Sequence, residues 1–449
     1  MNLSRMLLQR ENDGDPVRVG IIGCGKFGAM YLSQARLTKG VHVVGIADLN
    51  VARAKETLSH IGWETERFAA TSFEEAEKNR STFVTEDSAA LINNGDLDVL
   101  IEATGDPAAG IRHCLSAISH GLHVVMVNVE ADVVAGPLLA RKAELAGVVY
   151  SLAWGDQPAL IAEHVDWARS CGFKVVSAGK GTRYLPTFHQ STPETVWDHF
   201  GWDLEVVKRG RLNPKMFNSF LDGTKSGIEM SAVCNATGLT PQPDGLAFPP
   251  CSRFDLAEVC KPAEFGGTLT HSGTTEVVSS LNRDGSEVPG HLQYGTFVVI
   301  EGETDYARYC FEEYHMLPDS SFRFASLYRP THMIGLELGV SVASAALRKE
   351  PTGSPVTFNS DVVATAKRDL KEGEVLDGEG GFCVWGKQTP ARHSLDEGYL
   401  PLGLAQHVKL KRAIPEGAPL RWADVDIDSD DDAVKVRREM EAMFAAPNA

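Results

Sequence analysis

Between residues 218 and 230 the chain reads NSFLDGTKSGIEM, which sets an amide, two carboxylates and an amine into an otherwise apolar run. If the segment is helical, each residue advances about 100°, and Asn218, Asp222, Lys225 and Glu229 fall within roughly 60° of one another on one face. Such a face can be solvated, because Asp222–Lys225 and Lys225–Glu229 have the spacings of surface ion pairs. Its surroundings argue otherwise. Phe217, Phe220, Leu221, Ile228, Met230, Ala232 and Val233 make the segment apolar around most of a helix, and a charge buried there must pair or serve a site. The chemistry on offer is acid–base. Lys225 could donate a proton or stabilise an oxyanion at a substrate carbonyl. Asp222 could act as general base or metal ligand, and Glu229 could tune Lys225 or share the metal. Ser219, beside Asn218, adds a hydroxyl for substrate binding.

Three further segments carry candidates. SAGKGTRYLP (177–186) places Lys180 and Arg183 in a Gly-rich turn after the strand-like FKVVSA. Two cations beside backbone N–H groups suit a phosphate, and solvated loop cations would read the same way. GDQP (155–158) puts Asp156 at a strand-to-helix junction, where N-capping explains an Asp as well as catalysis does. In YRPTHMIGLE (328–337), Arg329 and His332 precede an apolar helical run and are candidate substrate and catalytic contacts.

The elements that must position these groups begin with a nucleotide site. Gly23-Cys24-Gly25-Lys26-Phe27-Gly28 is a GxGxxG that follows the strand-like VRVGIIG and opens a helical run. A second strand ends in Asp48, twenty residues after Gly28. That is the full context of a dinucleotide fold: one glycine for the turn, one for approach of the pyrophosphate, one for helix–strand packing, and an acid for the ribose. Asp48 favours NAD(H), and Arg53 five residues on can offset this for NADP(H). EATGDP (102–107), with Thr104 and Gly105, and VNVEAD (127–132), with Asn128 and Glu130, end later strands at the same crevice.

The fold class expected is α/β. A Rossmann doubly wound parallel sheet spans 1–155 and an α+β substrate and dimerisation domain spans 156–355. A small β-rich module spans 356–430, and a C-terminal helix and tail spans 431–449. The helices expected in the second domain lie at about 157–171, 216–237 and 333–348. A net charge of −17 argues against nucleic-acid binding. No apolar run reaches membrane-spanning length, and eight scattered cysteines without paired spacing point to reduced thiols in the cytoplasm. The six Asp between 424 and 432 read as a solvated linker. A homodimer is the default assembly.

With those motifs in view, the first domain resembles homoserine dehydrogenase and its relatives through GIIGCGKFG, EATGDP and VMVNVEAD. It departs from them at Glu130, where a lysine is usual. The chain as a whole more closely resembles the deoxyxylulose-5-phosphate reductoisomerase-like enzymes, through GDQPAL, AGKGT, FNSFLDGTK, NATGL, EVVSSL and IGLEL. VVATAKRDLKEGEVLDGEGG (362–381) resembles an SAF (β-clip) domain, in which Lys367, Arg368 and His407 read as interface or lid residues. The resemblance implies NADPH-dependent conversion of 1-deoxy-D-xylulose 5-phosphate to 2-C-methyl-D-erythritol 4-phosphate, or a related step on another phosphorylated or polyhydroxy small molecule. It also implies a divalent cation, Mg or Mn. The alternatives are a homoserine-dehydrogenase-type NAD(P)-dependent oxidoreductase and a non-enzymatic, dinucleotide-sensing regulator.

Overall fold

The apolar runs bounded by Gly and Asp become strands of a parallel sheet in the computed structural model, which describes residues 2–210 and 212–445. Of the tail expected to 449, residues 446–449 lie outside the described residues. The six strands are β1 (Val17–Ile22), β2 (Val41–Ala47), β3 (Phe83–Thr85), β4 (Val99–Glu102), β5 (His123–Met126) and β6 (Tyr150–Leu152). Their order, β3-β2-β1-β4-β5-β6, reverses between β1 and β4, and every pairing is parallel. That reversal is where a doubly wound sheet opens a crevice at the carboxyl ends of its strands. Five of the six strands are visible as apolar runs in the sequence. Three-residue β3 is too short to show a pattern.

The chain divides into two compact units, Met1–Leu160 with Met333–Val356, and Ile161–His332 with Thr357–Ala449. The expected partition differs at both places where the chain crosses. Residues 333–356 belong with the Rossmann unit because the helix Gly339–Arg348 adds Val342, Ala343 and Ala345 to the core that holds Val19, Ile21, Val99 and Ile101. The helix expected from 333 starts only at Gly339.

In the second unit, β7 (Lys174–Thr182), β8 (Thr274–Ser279), β9 (Thr296–Glu301) and β10 (Phe324–Arg329) form a mixed sheet in the order β10-β9-β7-β8. The module expected to stand alone from 356 belongs to this unit. Its antiparallel pair β11 (Ser360–Ala366) and β13 (Val384–Pro390) packs on the helix Thr224–Thr237. A smaller sheet joins β12 (Val375–Asp377), β14 (Gln406–Leu410) and β15 (Val425–Asp426). Backbone contact is close: a Cβ on Gly227 would sit 2.9 Å from the Gly386 carbonyl oxygen, so glycine lets helix and strand meet there. The final helix, Asp432–Ala445, is fastened by Arg437, whose guanidinium donates to both Asp361 oxygens at 3.1 and 2.6 Å. Both side chains are buried, so losing Arg437 would leave the Asp361 charge without its cation, while Arg437 has a second carboxylate in Glu441 at 2.9 Å.

Candidate active site

In the Rossmann unit each glycine of the loop has its own physical reason. Gly23 sits at φ +101, and a Cβ there would lie 2.4 Å from the Ala103 carbonyl oxygen. At Gly28 a Cβ would come within 2.3 Å of the Gly23 oxygen, so the helix Lys26–Ala35 packs directly on the turn. Gly25 faces open space, with nothing within 4 Å of its added Cβ. It caps that helix without a side-chain hydrogen bond, which leaves the helix N–H groups beside Lys26 and Phe27 to an anion. The loop therefore fits a pyrophosphate, and an Ala at 25 would project into its space. Asp48 is held by the loop it serves: Oδ2 accepts from Cys24 N–H at 2.8 Å, and Oδ1 accepts from Asn50 N–H at 2.8 Å and from Arg53 at 3.2 Å. Burial beside Asp48 lifts the Cys24 thiol to about 12, so it is inert.

Further along the strand ends, Thr104 donates to buried Glu102 at 2.7 Å. Asn128 caps the helix Val129–Leu145 by accepting from Ala131 N–H at 3.0 Å, and donates to the Asp106 carbonyl at 2.8 Å. Gly105 takes φ +73 between them. Glu130 is buried in the first turn of that helix. The same first turn also holds buried Asp132, which accepts from Tyr150 at 2.8 Å. Burial raises its carboxyl to about 7. Its other oxygen has no partner, which a neutral carboxyl tolerates and a charged one does not.

In the second unit the single charged face expected over 218–229 does not form. The helix Pro214–Leu221 ends at Asp222, Gly223 turns the chain at φ +90, and a new helix runs Thr224–Thr237. The glycine is the cause, since only it enters the left-handed region without strain. Asn218 and Asp222 are thereby separated from Lys225 and Glu229, which stay on one helix. Asn218 is fully buried: its amide donates to the Ser191 and Gly380 carbonyls and accepts from the Ser191 hydroxyl, all within 2.7–3.0 Å. Ser219 donates to Glu379. Asp222 lies 2.6 Å from Lys367, whose ammonium also donates to Ser191 and Gly381 carbonyls at 2.8 Å. Burial pushes the Asp222 carboxyl up while Lys367 pulls it down. Glu229 pairs with Lys180 of β7, and both side chains are almost fully buried. The second Glu229 oxygen has no partner. Of the helix Thr224–Thr237, only Lys225 and Ala236 escape full burial.

Residues 19–152 match the family described as "Homoserine dehydrogenase, NAD binding domain", and residues 155–338 match "Oxidoreductase DRL, catalytic domain". Residues 19–338 thus form an NAD(P)-dependent oxidoreductase. The two matches favour the enzyme readings over the sensor. No curated protein matches the chain. Among solved structures, the oxidoreductase is similar to a myo-inositol dehydrogenase from Lactobacillus casei in complex with NAD(H) and myo-inositol. That match has 14% identity, covers 71% of this chain and 75% of that one, and has a TM-score of 0.36. It is also similar to KijD10, a 3-ketoreductase from Actinomadura kijaniata in complex with NADP. Here the match has 18% identity, covers 38% of this chain and half of that one, and has a TM-score of 0.27. Scores this low carry no weight for substrate or mechanism.

The remaining expected residues of the oxidoreductase are placed as follows. Asp156 is buried and its carboxylate accepts from Gln157 N–H at 3.0 Å, at the start of the helix Gln157–Ser170. Arg183 donates to the His199 carbonyl at 3.3 Å. Lys180 and Arg183, expected in a loop, instead lie on and just past β7, which runs on to Thr182. Half-buried His332 donates through Nδ1 to the Tyr294 carbonyl at 2.7 Å. Arg329 ends β10, where its charge acts on Glu163 and His164. Among the described residues no three His, Cys, Asp or Glu side chains converge to hold a metal ion. The two carboxylates expected to bind Mg or Mn, Asp222 and Glu229, are each matched with a lysine ammonium. The donor set does not fit a divalent cation, and no chemical step is assigned to one. None of the helices among the described residues is long and apolar enough to cross a membrane.

Sequence reasoning passed over Glu102, Asp132 and His189. The first two are lone acids inside apolar segments, and periodicity gives such positions no role. His189 lies in the short 3-10 turn Pro186–Gln190, and besides nearby Tyr184 it meets Asp222 and Trp385, which are far away in sequence.

Proposed function

We propose that the chain passes a hydride between NAD(P)H and a small polar carbonyl compound or its alcohol, as a dehydrogenase of the homoserine type does. Lys225 would deliver the proton in reduction: hydride goes to the carbonyl carbon and an ammonium proton to the oxygen, giving the alcohol and oxidised cofactor. The observation that carries this role is the partial exposure of Lys225 on a helix that otherwise buries nearly every side chain. Glu229 lies one helical turn on, so its carboxylate shares that face, and Lys180 neutralises it from β7. The experiment is a panel of semialdehydes, hydroxy acids and ketose phosphates scored by NAD(P)H oxidation. Saturable turnover of at least one is expected, and tight cofactor binding with no turnover of any would contradict the proposal.

A second reading, the reductoisomerase step on a ketose phosphate, draws support from the catalytic-domain match over residues 155–338 and from the shared motifs. It predicts that deoxyxylulose phosphate is consumed while homoserine is not oxidised.

For the cofactor we propose NADPH over NADH. Arg53 neutralises Asp48 while remaining about half exposed, so a ribose 2′-phosphate would meet a cation rather than a bare carboxylate. Replacing Arg53 by Ala should weaken NADPH by roughly ten-fold, the loss of one charge-assisted hydrogen bond. NADH should be little affected. Fluorescence titration of both cofactors checks this, and equal weakening of the two would contradict it.

Asp132 gives a stability test of the Rossmann unit. Its folded pKa of about 7 lies above the ordinary carboxylate value. Below about pH 4 both states hold the proton and the group is neutral to stability. Between about pH 4 and pH 7 the unfolded chain ionises first, so stability falls as pH rises, by up to about 1.4 kcal/mol per unit. Asp132→Asn retains an acceptor for Tyr150 and cannot ionise. Its stability relative to the parent should rise across that window in denaturant unfolding, and a constant difference would contradict the assignment.

A further inference from the structure

In the second unit, one face of the mixed sheet is apolar along most of its length and turns polar at one end. Alternate residues of a strand share a face. On β7, β9 and β10 that face carries Ala178, Val298 and Leu327, all of one core cluster. Two residues away on each strand, where β7 and β10 end and β9 begins, it carries Lys180, Thr296 and Arg329 instead. The register joins the three, with Thr296 opposite Lys180 on one side and opposite Arg329 on the other. Thr296 is 0% exposed and Lys180 3%. Glu229, from the helix Thr224–Thr237, closes the row through its ion pair with Lys180.

His164, on the helix Gln157–Ser170, comes down on the middle of this row, with Nε2 at 3.2 Å from Thr296 Oγ1. The threonine makes no other side-chain hydrogen bond among the described residues. A hydroxyl gives or takes a proton, so Thr296 holds the ring in place without fixing its tautomer. Nδ1 has no hydrogen-bond partner among the described residues, and the half-buried ring does not seal it in. A histidine that served packing alone would have both nitrogens engaged or its free one closed off. Burial, and then the charge of Arg329, lower the imidazole to about 4, so the ring is neutral near pH 7. A neutral ring with one unengaged nitrogen and a movable proton can donate or accept. That matches a hydroxyl group, which does both, better than a carboxylate, which only accepts.

We propose that His164 is a substrate-binding residue whose Nδ1 hydrogen-bonds a hydroxyl group that the substrate carries besides its reacting carbonyl. Neighbouring strands are about 5 Å apart, so His164 stands one strand over from the Lys180–Glu229 pair, a span of two or three carbon atoms. With the carbonyl at Lys225, on the helix face it shares with Glu229, the hydroxyl falls on the first or second carbon beyond it. The inference rests on the hydride-transfer reading and narrows its substrates to hydroxylated carbonyl compounds.

Two matched pairs, each differing by one hydroxyl, test it: dihydroxyacetone phosphate against hydroxyacetone phosphate, and 4-hydroxy-2-oxobutanoate against 2-oxobutanoate. In steady-state kinetics with NADPH, the hydroxylated member of at least one pair should have a kcat/KM at least ten-fold above its mate, with the difference mainly in KM. His164→Phe, which keeps a planar ring and loses both nitrogens, should bring that ratio to near one. His164→Gln, whose amide can still hydrogen-bond, should keep part of it. A ratio near one in the parent for every pair that is turned over would overturn the proposal, as would equal losses on both members of a pair in His164→Phe. The second measurement needs no turnover and no variant fold. In the full chain with bound NADP⁺ and ¹⁵N-labelled histidine, the Nδ1 resonance of His164, assigned by its loss in His164→Gln, should move with the hydroxylated member of a pair and stay in place with its mate. A resonance that neither hydroxylated probe moves would overturn the proposal even if the carbonyl compounds are reduced. A shift without any reduction would instead contradict the dehydrogenase reading and leave His164 as a ligand contact.

Discussion

Lys225→Met should lower turnover by on the order of 10²-fold or more while leaving NAD(P)H affinity within a factor of about two, the effect of removing a positioned general acid. The side chain is only half-buried at the start of its helix, and Met keeps its length and unbranched stem, so a thermal midpoint near the parent's is expected and the loss then reports on chemistry instead of folding. Glu229 sits four residues along the same helix. Glu229→Gln removes the charge that Lys180 balances and should act less severely, because the amide keeps an acceptor for the ammonium. Steady-state kinetics with parallel cofactor titration decides the matter. A Lys225 variant with turnover near that of the parent would remove Lys225 from the mechanism. Equal losses in turnover and cofactor affinity would make it a structural residue.

Lys180→Met should destabilise the second unit by about 3–5 kcal/mol, since Glu229 would be left buried and unpaired. Both side chains are at or below 4% exposure, so solvent cannot compensate either charge. Pairing the change with Glu229→Leu should recover most of that stability, because a buried ion pair replaced on both sides by apolar groups is often neutral. The double variant thereby separates fold from function: it should unfold near the parent's denaturant midpoint and remain impaired in turnover. If it is as unstable as the single variant, the pair is not an isolated electrostatic unit. If it is stable and fully active, the pair has no catalytic bearing.

Much of the cofactor half was legible in the residues. The glycine spacing, the strand before it and Asp48 after it are local features, and local features survive into the fold unchanged. Gly23, Gly25 and Gly28 prove to be three different constraints, as the spacing implies. The substrate half was less legible because its contacts are distant in sequence. Asp222 meets Lys367 and Glu229 meets Lys180, and no periodicity relates such partners. One local signal was present and was overridden by the helix pattern around it: the Asp-Gly at 222–223, which ends one helix before the next begins. Reading that glycine as a break would have separated Asn218 and Asp222 from Lys225 and Glu229. The C-terminal segment was legible as β-rich, and it forms small antiparallel sheets, but its fusion with the catalytic unit rests on Gly227 meeting Gly386, a backbone approach that neither glycine announces alone.

The most direct test of hydride transfer uses NADPH carrying deuterium at the reactive position of the nicotinamide ring, mixed with the chain and its best substrate from the carbonyl panel. Mass spectrometry of the product should show one deuterium on the reduced carbon, with none acquired in the Lys225→Met variant over the same interval. A reduced product without the label, or bound NADPH that keeps its deuterium against every carbonyl compound tried, would contradict the account.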